Sequence, residues 1–224
     1  MKVSKIKLNP QNPRLIRDEK FAKLCKSIKD FPQMMELRPI IIDDDNVIDN
    51  FCITTLVRFL NKNKNVGIAG PIMLYFSDKD LIWCAGIKRN YYTSITKFIG
   101  RGRRDIYNFI KPIKSDDFPN SFMVRKEVIE KIGFFDSKNF PIHYDEADFC
   151  IRARSNNYLV YCIPEAKIWH DIPITKKSHR GYHLQSKKRT MYTARNRVVY
   201  HKIYNTRIQL FIFLNIFLPL ISLL

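Results

Sequence analysis

Residues 117–170 read DFPNSFMVRKEVIEKIGFFDSKNFPIHYDEADFCIRARSNNYLVYCIPEAKIWH. The acidic cluster Asp145-Glu146-Ala147-Asp148 opens what the spacing predicts as a helix. Two short apolar runs then lead to a lone His170. Carboxylates suit the positive end of a helix. An imidazole returning to them through a strand completes a set of groups able to bind a divalent cation and accept a proton. Taken alone, the same residues fit ordinary acid preference at a helix start and a hydrogen-bonded core histidine. The rest of the chain has to decide between these readings.

Upstream, the apolar pair Ile41-Ile42 runs into Asp43-Asp44-Asp45. Carboxylates at the C-terminal edge of a strand lie where open α/β sheets bind ligands. Asp43 and Asp45, two residues apart, point the same way and can share Mg2+ or Mn2+ through oxygen. A solvated acidic turn has the same composition. A helix is predicted next, with Phe51, Leu56, Phe59 and Leu60 as its apolar positions. A polar NKNKN turn follows, then a strand over 66–69 that stops at Gly70-Pro71.

Composition narrows the class. The chain has 224 residues, enough for one large or two small domains, and its 46% hydrophobic content supports a real core. Lys and Arg number 39 against 21 Asp and Glu, a formal charge of +18 that calls for a polyanion or an anionic surface as partner. Residues 176–207 hold ten of these basic residues and no acidic one. Five scattered cysteines with no CxxC argue for a reducing compartment and against a zinc site or disulfide framework. The opening MKVSKIKLNP has no long apolar run of the signal-peptide kind.

From Ile41 onward these motifs resemble, in order, those of family 2 glycosyltransferases, which are inverting enzymes of GT-A fold. Ile41-Ile42-Asp43-Asp44-Asp45-Asn46 resembles the family's strand ending in DxD. Asn65-Val66-Gly67-Ile68-Ala69-Gly70-Pro71 and the IWCAGI of 82–87 follow in place. The stretch 120–125, Ile132-Gly133-Phe134-Phe135-Asp136, the acidic cluster through Arg154, and Pro164 to His170 complete the match. The resemblance implies a partial GT-A-like α/β fold over 41–175, a mixed sheet with flanking helices. It implies Asp43, Asp45 and His170 as ligands of Mg2+ or Mn2+, with Asp45 the closer carboxylate. It gives Glu146 as base, with Asp145 as the other candidate, and Asp148 as a residue orienting base or acceptor. Asp44, Asn120 and Arg152 fall to substrate binding, although Arg152, one turn after Asp148, is equally placed to pair with it. A nucleotide-sugar donor and a glycan or lipid-linked acceptor are the implied partners.

Two departures stand out. The family's acidic pair is Glu-Asp, whereas this chain reads Asp145-Glu146, so the base position carries one methylene more. The family also places its nucleotide-recognising strands before DxD, and only 42 residues precede Asp43 here. The expectation is a glycosyltransferase-like protein that moves a sugar from a nucleotide-sugar to a lipid-linked or polysaccharide acceptor but lacks the usual donor-binding part; whether it is active without that part, inactive, or a non-catalytic fusion remnant is left open by the sequence.

Residues 1–40 instead resemble the start of ParB-like nuclease domains. Their features are VSKIKLNPQNPR, a helix over 19–29 with Asp18 near its N-cap and Phe21, Leu24 and Ile28 on one face, and LRPIIID. That implies a small α+β segment. The family's glycine-rich, Arg-terminated phosphate box is absent, since no glycine falls between Phe51 and Val66. A ParB-like nucleic-acid-binding protein is therefore the rival reading, and nucleic acid is not the expected partner. In the basic, aromatic stretch 76–116, Gly100-Arg101-Gly102-Arg103-Arg104 reads equally as a solvated loop or a phosphate contact.

The C-terminal end points to a surface. Residues 192–197, YTARNR, resemble the segment that precedes the membrane helices of such transferases, within a basic juxtamembrane segment 176–207. Residues 208–224 are almost wholly apolar and, at 17 residues, fall just short of the span of about 20 that crosses a bilayer. The expectation is a truncated membrane helix or an interfacial one, with its basic flank on the cytoplasmic face beside anionic lipid.

Overall fold

Val66–Tyr75 is buried at all ten positions, with no polar alternation. Such a run belongs to a strand covered on both faces. The computed structural model describes residues 40–41, 45–104, 106–172, 174 and 187–219. In chain order the elements are β1 (Ile40–Ile41), β2 (Asn46–Ile48), α1 (Cys52–Lys62), β3 (Val66–Tyr75), β4 (Asp78–Cys84), β5 (Ile87–Arg89) and β6 (Thr96–Phe98). There follow β7 (Ile113–Lys114), β8 (Phe122–Val124), α2 (Lys126–Ile132), α3 (Asp145–Ser155), β9 (Leu159–His170), α4 (Lys187–Tyr204) and α5 (Arg207–Ile212).

β3 and β9 form the parallel centre of a seven-stranded mixed sheet. β8 and β4 flank β3 antiparallel, and β7 and β2 flank β9 antiparallel. Met123, Ala69 and Tyr161 are lateral partners and so share one face. Tyr161 meets Phe59 of α1, with ring centroids 6.1 Å apart. Phe122, one residue out of that row, faces the other way and meets Phe149 of α3 at 6.1 Å. Helices therefore cover both faces. Phe118 lies so close over Gly70 that a Cβ there would run into its ring.

Sequence rules stop the central strand at Pro71, but it continues to Tyr75. The pairing of β3 with β9 shifts at this point, from Pro71↔Ile163 to Ile72↔Lys167, so Pro164 lies in the same irregularity. Both prolines, which have no N–H to give, thus lie where the ladder is already broken. Phe51 also departs from expectation: it is 73% exposed, just before α1. The buried stripe of α1 is Cys52, Leu56 and Leu60, spaced one turn apart.

Arg125, 6% exposed, fastens α1 to the sheet. Its Nε donates to the Val66 carbonyl at 2.7 Å, and Nη2 donates to the carbonyls of Leu60 and Asn63. Carbonyls at a helix C-terminus lack intrahelical donors and carry partial negative charge, so a guanidinium there is favoured.

The basic segment from 187 is a helix packed on this body: Asn196, Tyr200 and His201 of α4 are buried. Beyond it, the Thr206 side chain caps α5 with a full capping box to Gln209. Phe213 then turns inward and stacks on His201 at 4.2 Å. Among the described residues no helix is long and apolar enough to cross a membrane. Residues 1–39 of the ParB-like segment 1–40, Ile42, Asp43, Asp44, most of 173–186 and the last five residues of the apolar tail lie outside the described residues.

Candidate active site

The site forms at the C-terminal ends of the two parallel strands. His170 closes β9, level with Tyr75 of β3 and Asn46 of β2. Asp45 precedes β2, and its backbone carbonyl accepts from the N–H of Asp171 at 2.8 Å. These pairings carry the Asp45 carboxylate to the imidazole: Oδ2 lies 3.3 Å from His170 Nε2. The Asn120 side chain approaches the same nitrogen, with Nδ2 at 3.1 Å. Asn120 sits just before β8 in a left-handed turn, φ 63°, a region that asparagine enters more readily than most residues. Its backbone N–H donates to Glu146 Oε1 at 3.2 Å. Asp45, His170, Asn120 and Glu146 are thus joined in one chain of contacts from strand end to helix start.

This geometry tests the donor set for a cation. With the Asn120 amide donating, Nε2 presents its lone pair, and a carboxylate oxygen faces that lone pair at 3.3 Å. Two acceptors so placed repel unless a proton or a cation lies between them. Nδ1 of His170 is buried without a hydrogen-bond partner, so only the contacts at Nε2 bear on the tautomer. One imidazole nitrogen and one carboxylate oxygen suit a divalent metal such as Mn2+. Among the described residues no group of three or more His, Cys, Asp or Glu side chains converges on such a point. Trp83 presses on the imidazole edge-to-face, with centroids 4.5 Å apart, and fixes the ring plane.

Glu146 is delivered by a loop of unusual shape. His143 and Tyr144 both have positive φ, 64° and 67°, immediately before α3. Each such non-glycine residue is disfavoured by roughly 1–2 kcal/mol, so neighbours must hold it. Asn196 of α4, fully buried, donates from Nδ2 to the carbonyls of Ile142 and His143 at 2.8 and 3.1 Å. Arg195 donates to the Asn139 carbonyl at 2.7 Å and to Asn196 Oδ1 at 2.6 Å. Tyr144 packs on Tyr200 of α4, centroids 5.3 Å apart. The Arg89 guanidinium lies 5.1 Å from both rings and pairs with Asp117 at 2.6 Å, both side chains buried. Burial disfavours the charged guanidinium, but the Asp117 carboxylate and the two tyrosines outweigh that and push its pKa up.

The acidic cluster divides its labour. Asp145 is half-buried and makes no side-chain hydrogen bond among the described residues. Asp148, 1% exposed, accepts from Arg152 Nε at 2.8 Å through Oδ2 and from the Tyr204 hydroxyl through Oδ1. Arg152 also donates to the carbonyls of Ile132 and Phe134 at 2.6 and 2.9 Å. Of the two readings of Arg152, the structure takes the intrahelical pair, because i and i+4 side chains meet on a helix. Both carboxylate oxygens of Asp148 and all three guanidinium nitrogens of Arg152 are thus engaged within the fold. Asp43 and Asp44 lie outside the described residues. The residues that pattern reading missed, Trp83, Arg89, Asp117, Tyr144 and Tyr200, come from segments distant in sequence. Trp83, Asp117, Tyr144 and Asn196 all stood inside quoted stretches, without a partner in view. The four described cysteines are free and buried, and burial pushes Cys52 and Cys84 up to about 12, which keeps both thiols protonated and out of the chemistry.

No family model and no curated protein sequence matches the chain. Solved structures do. The chain is similar to GalNAc-T7, a glycosyltransferase of GT-A fold determined with UDP, GalNAc and Mn2+, with TM-score 0.51 and 13% identity over 85% of this chain. It is also similar, at TM-score 0.38 and 12% identity over 70% of each chain, to A197 from STIV, a likeness too slight to bear on the fold. At such identity the first likeness shows the fold alone: a GT-A-like α/β arrangement of mixed sheet and flanking helices. The chain spans about a third of the length of the GalNAc-T7 chain, 35%.

Proposed function

We propose that this chain is a glycosyltransferase that moves a sugar from a nucleotide-sugar to a glycan or lipid-linked acceptor. The observation that carries the reading is the run Asp45–His170–Asn120–Glu146 at the C-terminal ends of β3 and β9, in a GT-A-like sheet. Asp45 and His170, with Asp43, would hold a divalent cation. Bound there, the cation would supply Lewis-acid neutralisation of a leaving diphosphate.

Glu146 takes the proton from the attacking acceptor hydroxyl. Its Oε1 accepts from the Asn120 N–H, which orients the carboxylate for this task. Trp83 walls the imidazole and excludes water from one side of it. Asp148, Arg152 and Tyr204 fix the first turn of α3 and so act on Glu146 through position. The basic α4 leads directly into α5, where Ile208 and Phe211 are 69% and 66% exposed. Apolar residues beside a basic segment suit the cytoplasmic surface of an anionic membrane, where a lipid-linked acceptor resides.

Calorimetry of the protein with Mn2+ and a panel of nucleotide-sugars tests the reading. Binding of at least one donor is expected, with loss in Asp45→Ala. Glu146→Gln is expected to keep donor binding and lower transfer by about 10²–10⁴-fold. Absence of binding to every donor, or tight salt-sensitive binding of duplex DNA in its place, would overturn it.

A further inference from the structure

The Gly100–Arg104 turn folds back along β4. The N–H of Gly102 donates to the Ile82 carbonyl and the N–H of Ile82 to that of Arg103, both at 2.9 Å. Gly100 and Gly102 adopt positive φ, 73° and 77°, which this tight return requires. The three arginines then take different places. Arg104 pairs with Asp78, Nη1 to Oδ1 at 2.9 Å. Arg103 lies over Phe109 at 5.3 Å. Arg101 lies over Phe98 at 3.7 Å and over Trp83 at 5.2 Å, with its Nε donating to the Trp83 carbonyl at 3.2 Å. Among the described residues no carboxylate pairs with Arg101.

Trp83 is the same indole that packs edge-to-face against His170. The Arg101 guanidinium therefore stands one indole away from the imidazole, half-buried and held by two rings and a carbonyl. Burial, the largest influence on it, pulls its pKa down; Cys84 and Tyr75 oppose this only in part, and no carboxylate adds to them. A guanidinium fixed in this way is a preorganised planar donor of the kind that binds phosphate oxygens in a fork. A diphosphate carries more negative charge than one divalent cation neutralises, and it is long enough to reach beyond a cation at Asp45 and His170.

From this placement we infer that Arg101 binds a phosphate group of the donor's diphosphate. The inference rests on the proposed function and assigns to the glycine–arginine turn the charge that complements Asp45 and His170.

Calorimetry with Mn2+ and two probes, UDP and inorganic pyrophosphate, tests it, with UMP as the single-phosphate comparison. Arg101→Met keeps the length and apolar packing and removes the donors. It is expected to weaken UDP and pyrophosphate about tenfold or more and UMP less, as loss of a hydrogen bond to a charged group would. Arg101→Lys is expected to recover part of the loss, and both variants should melt within a few degrees of the parent. Unchanged affinity for UDP and pyrophosphate in Arg101→Met, with loss in Asp45→Ala, overturns the role of Arg101 and leaves the proposed function standing. Equal weakening of UMP and UDP overturns it as well. No binding of any phosphate probe by the unsubstituted protein overturns both.

Discussion

Nδ2 of Asn120 lies 3.1 Å from Nε2 of His170, and this contact couples the two halves of the site. The same residue reaches Glu146 through its backbone. Asn120→Gly would remove the amide alone, because glycine accepts the φ of 63° without strain. Nε2 has one in-plane lone pair, so a cation bound there has to displace the Asn120 amide from it. We expect Mn2+ binding, followed by calorimetry or by the electron paramagnetic resonance signal of free Mn2+, to tighten by about 2–10-fold, the worth of one such hydrogen bond, with a stability change of about 1 kcal/mol. Weaker Mn2+ binding in the variant would show instead that Asn120 helps to hold the cation.

Arg89 and Asp117 form an ion pair with side chains 7% and 4% exposed. Breaking one partner of such a pair typically costs about 3–5 kcal/mol, because the other is left charged in the interior. Asp117→Asn is expected to lower unfolding free energy in urea by that order. The double substitution Arg89→Met, Asp117→Leu is expected to lose clearly less. A double variant as unstable as the single one would mean that aromatic stacking around Arg89, and not charge pairing, dominates there.

Asn196 makes two hydrogen bonds to carbonyls of the loop that carries Glu146. Asn196→Asp removes both donors while preserving size. The left-handed residues His143 and Tyr144 then lose their support, and the Glu146 carboxylate loses its fixed position. With Asp45 and His170 untouched, Mn2+ affinity should hold within about threefold, while transfer falls by about 10-fold or more, the scale of a misplaced catalytic group. A parallel loss of Mn2+ affinity would instead report collapse of the whole site.

His201 is fully buried, and burial, with help from the charges of Arg89 and Arg197, pulls it from 6.5 down to about 4. Above pH 6.5 the ring is neutral in folded and unfolded chains alike, and it adds no pH dependence. Between about 6.5 and about 4 only the unfolded chain takes up the proton, so stability falls with falling pH by about 1.4 kcal/mol per unit. Urea titrations at pH 7 and pH 5 on the parent and on His201→Gln isolate this contribution. The parent should lose more than the variant by a margin of about 1–2 kcal/mol, and identical losses would refute the assignment.

What the sequence made legible follows from range. The start of α3 is readable because acids gather at a helix N-terminus, and His170 is readable because it closes an apolar run. Both signals are local. Pro71 misleads because its effect depends on Pro164, which meets it only when β3 and β9 pair. Phe51 misleads because an apolar residue at a helix boundary looks like the first member of the stripe that begins at Cys52. Arg152 has both of its readings in the sequence, and the contact with Asp148, made through the helix itself, selects one. The Arg89–Asp117 pair and the grip of Asn196 on Ile142 and His143 join segments that no spacing rule connects.

The three-residue ladder between β2 and the last turns of β9 has a kinetic meaning. His170 follows Asp45 by 125 residues, so a polypeptide emerging from the ribosome cannot close the pocket until residues past 170 have appeared. Until then the fully apolar β3 has no parallel neighbour and presents a sticky surface to other nascent chains. Non-local strand pairing of this kind folds slowly and exposes intermediates to aggregation. The contact between Asp45 and His170 should therefore be among the last parts of the sheet to form.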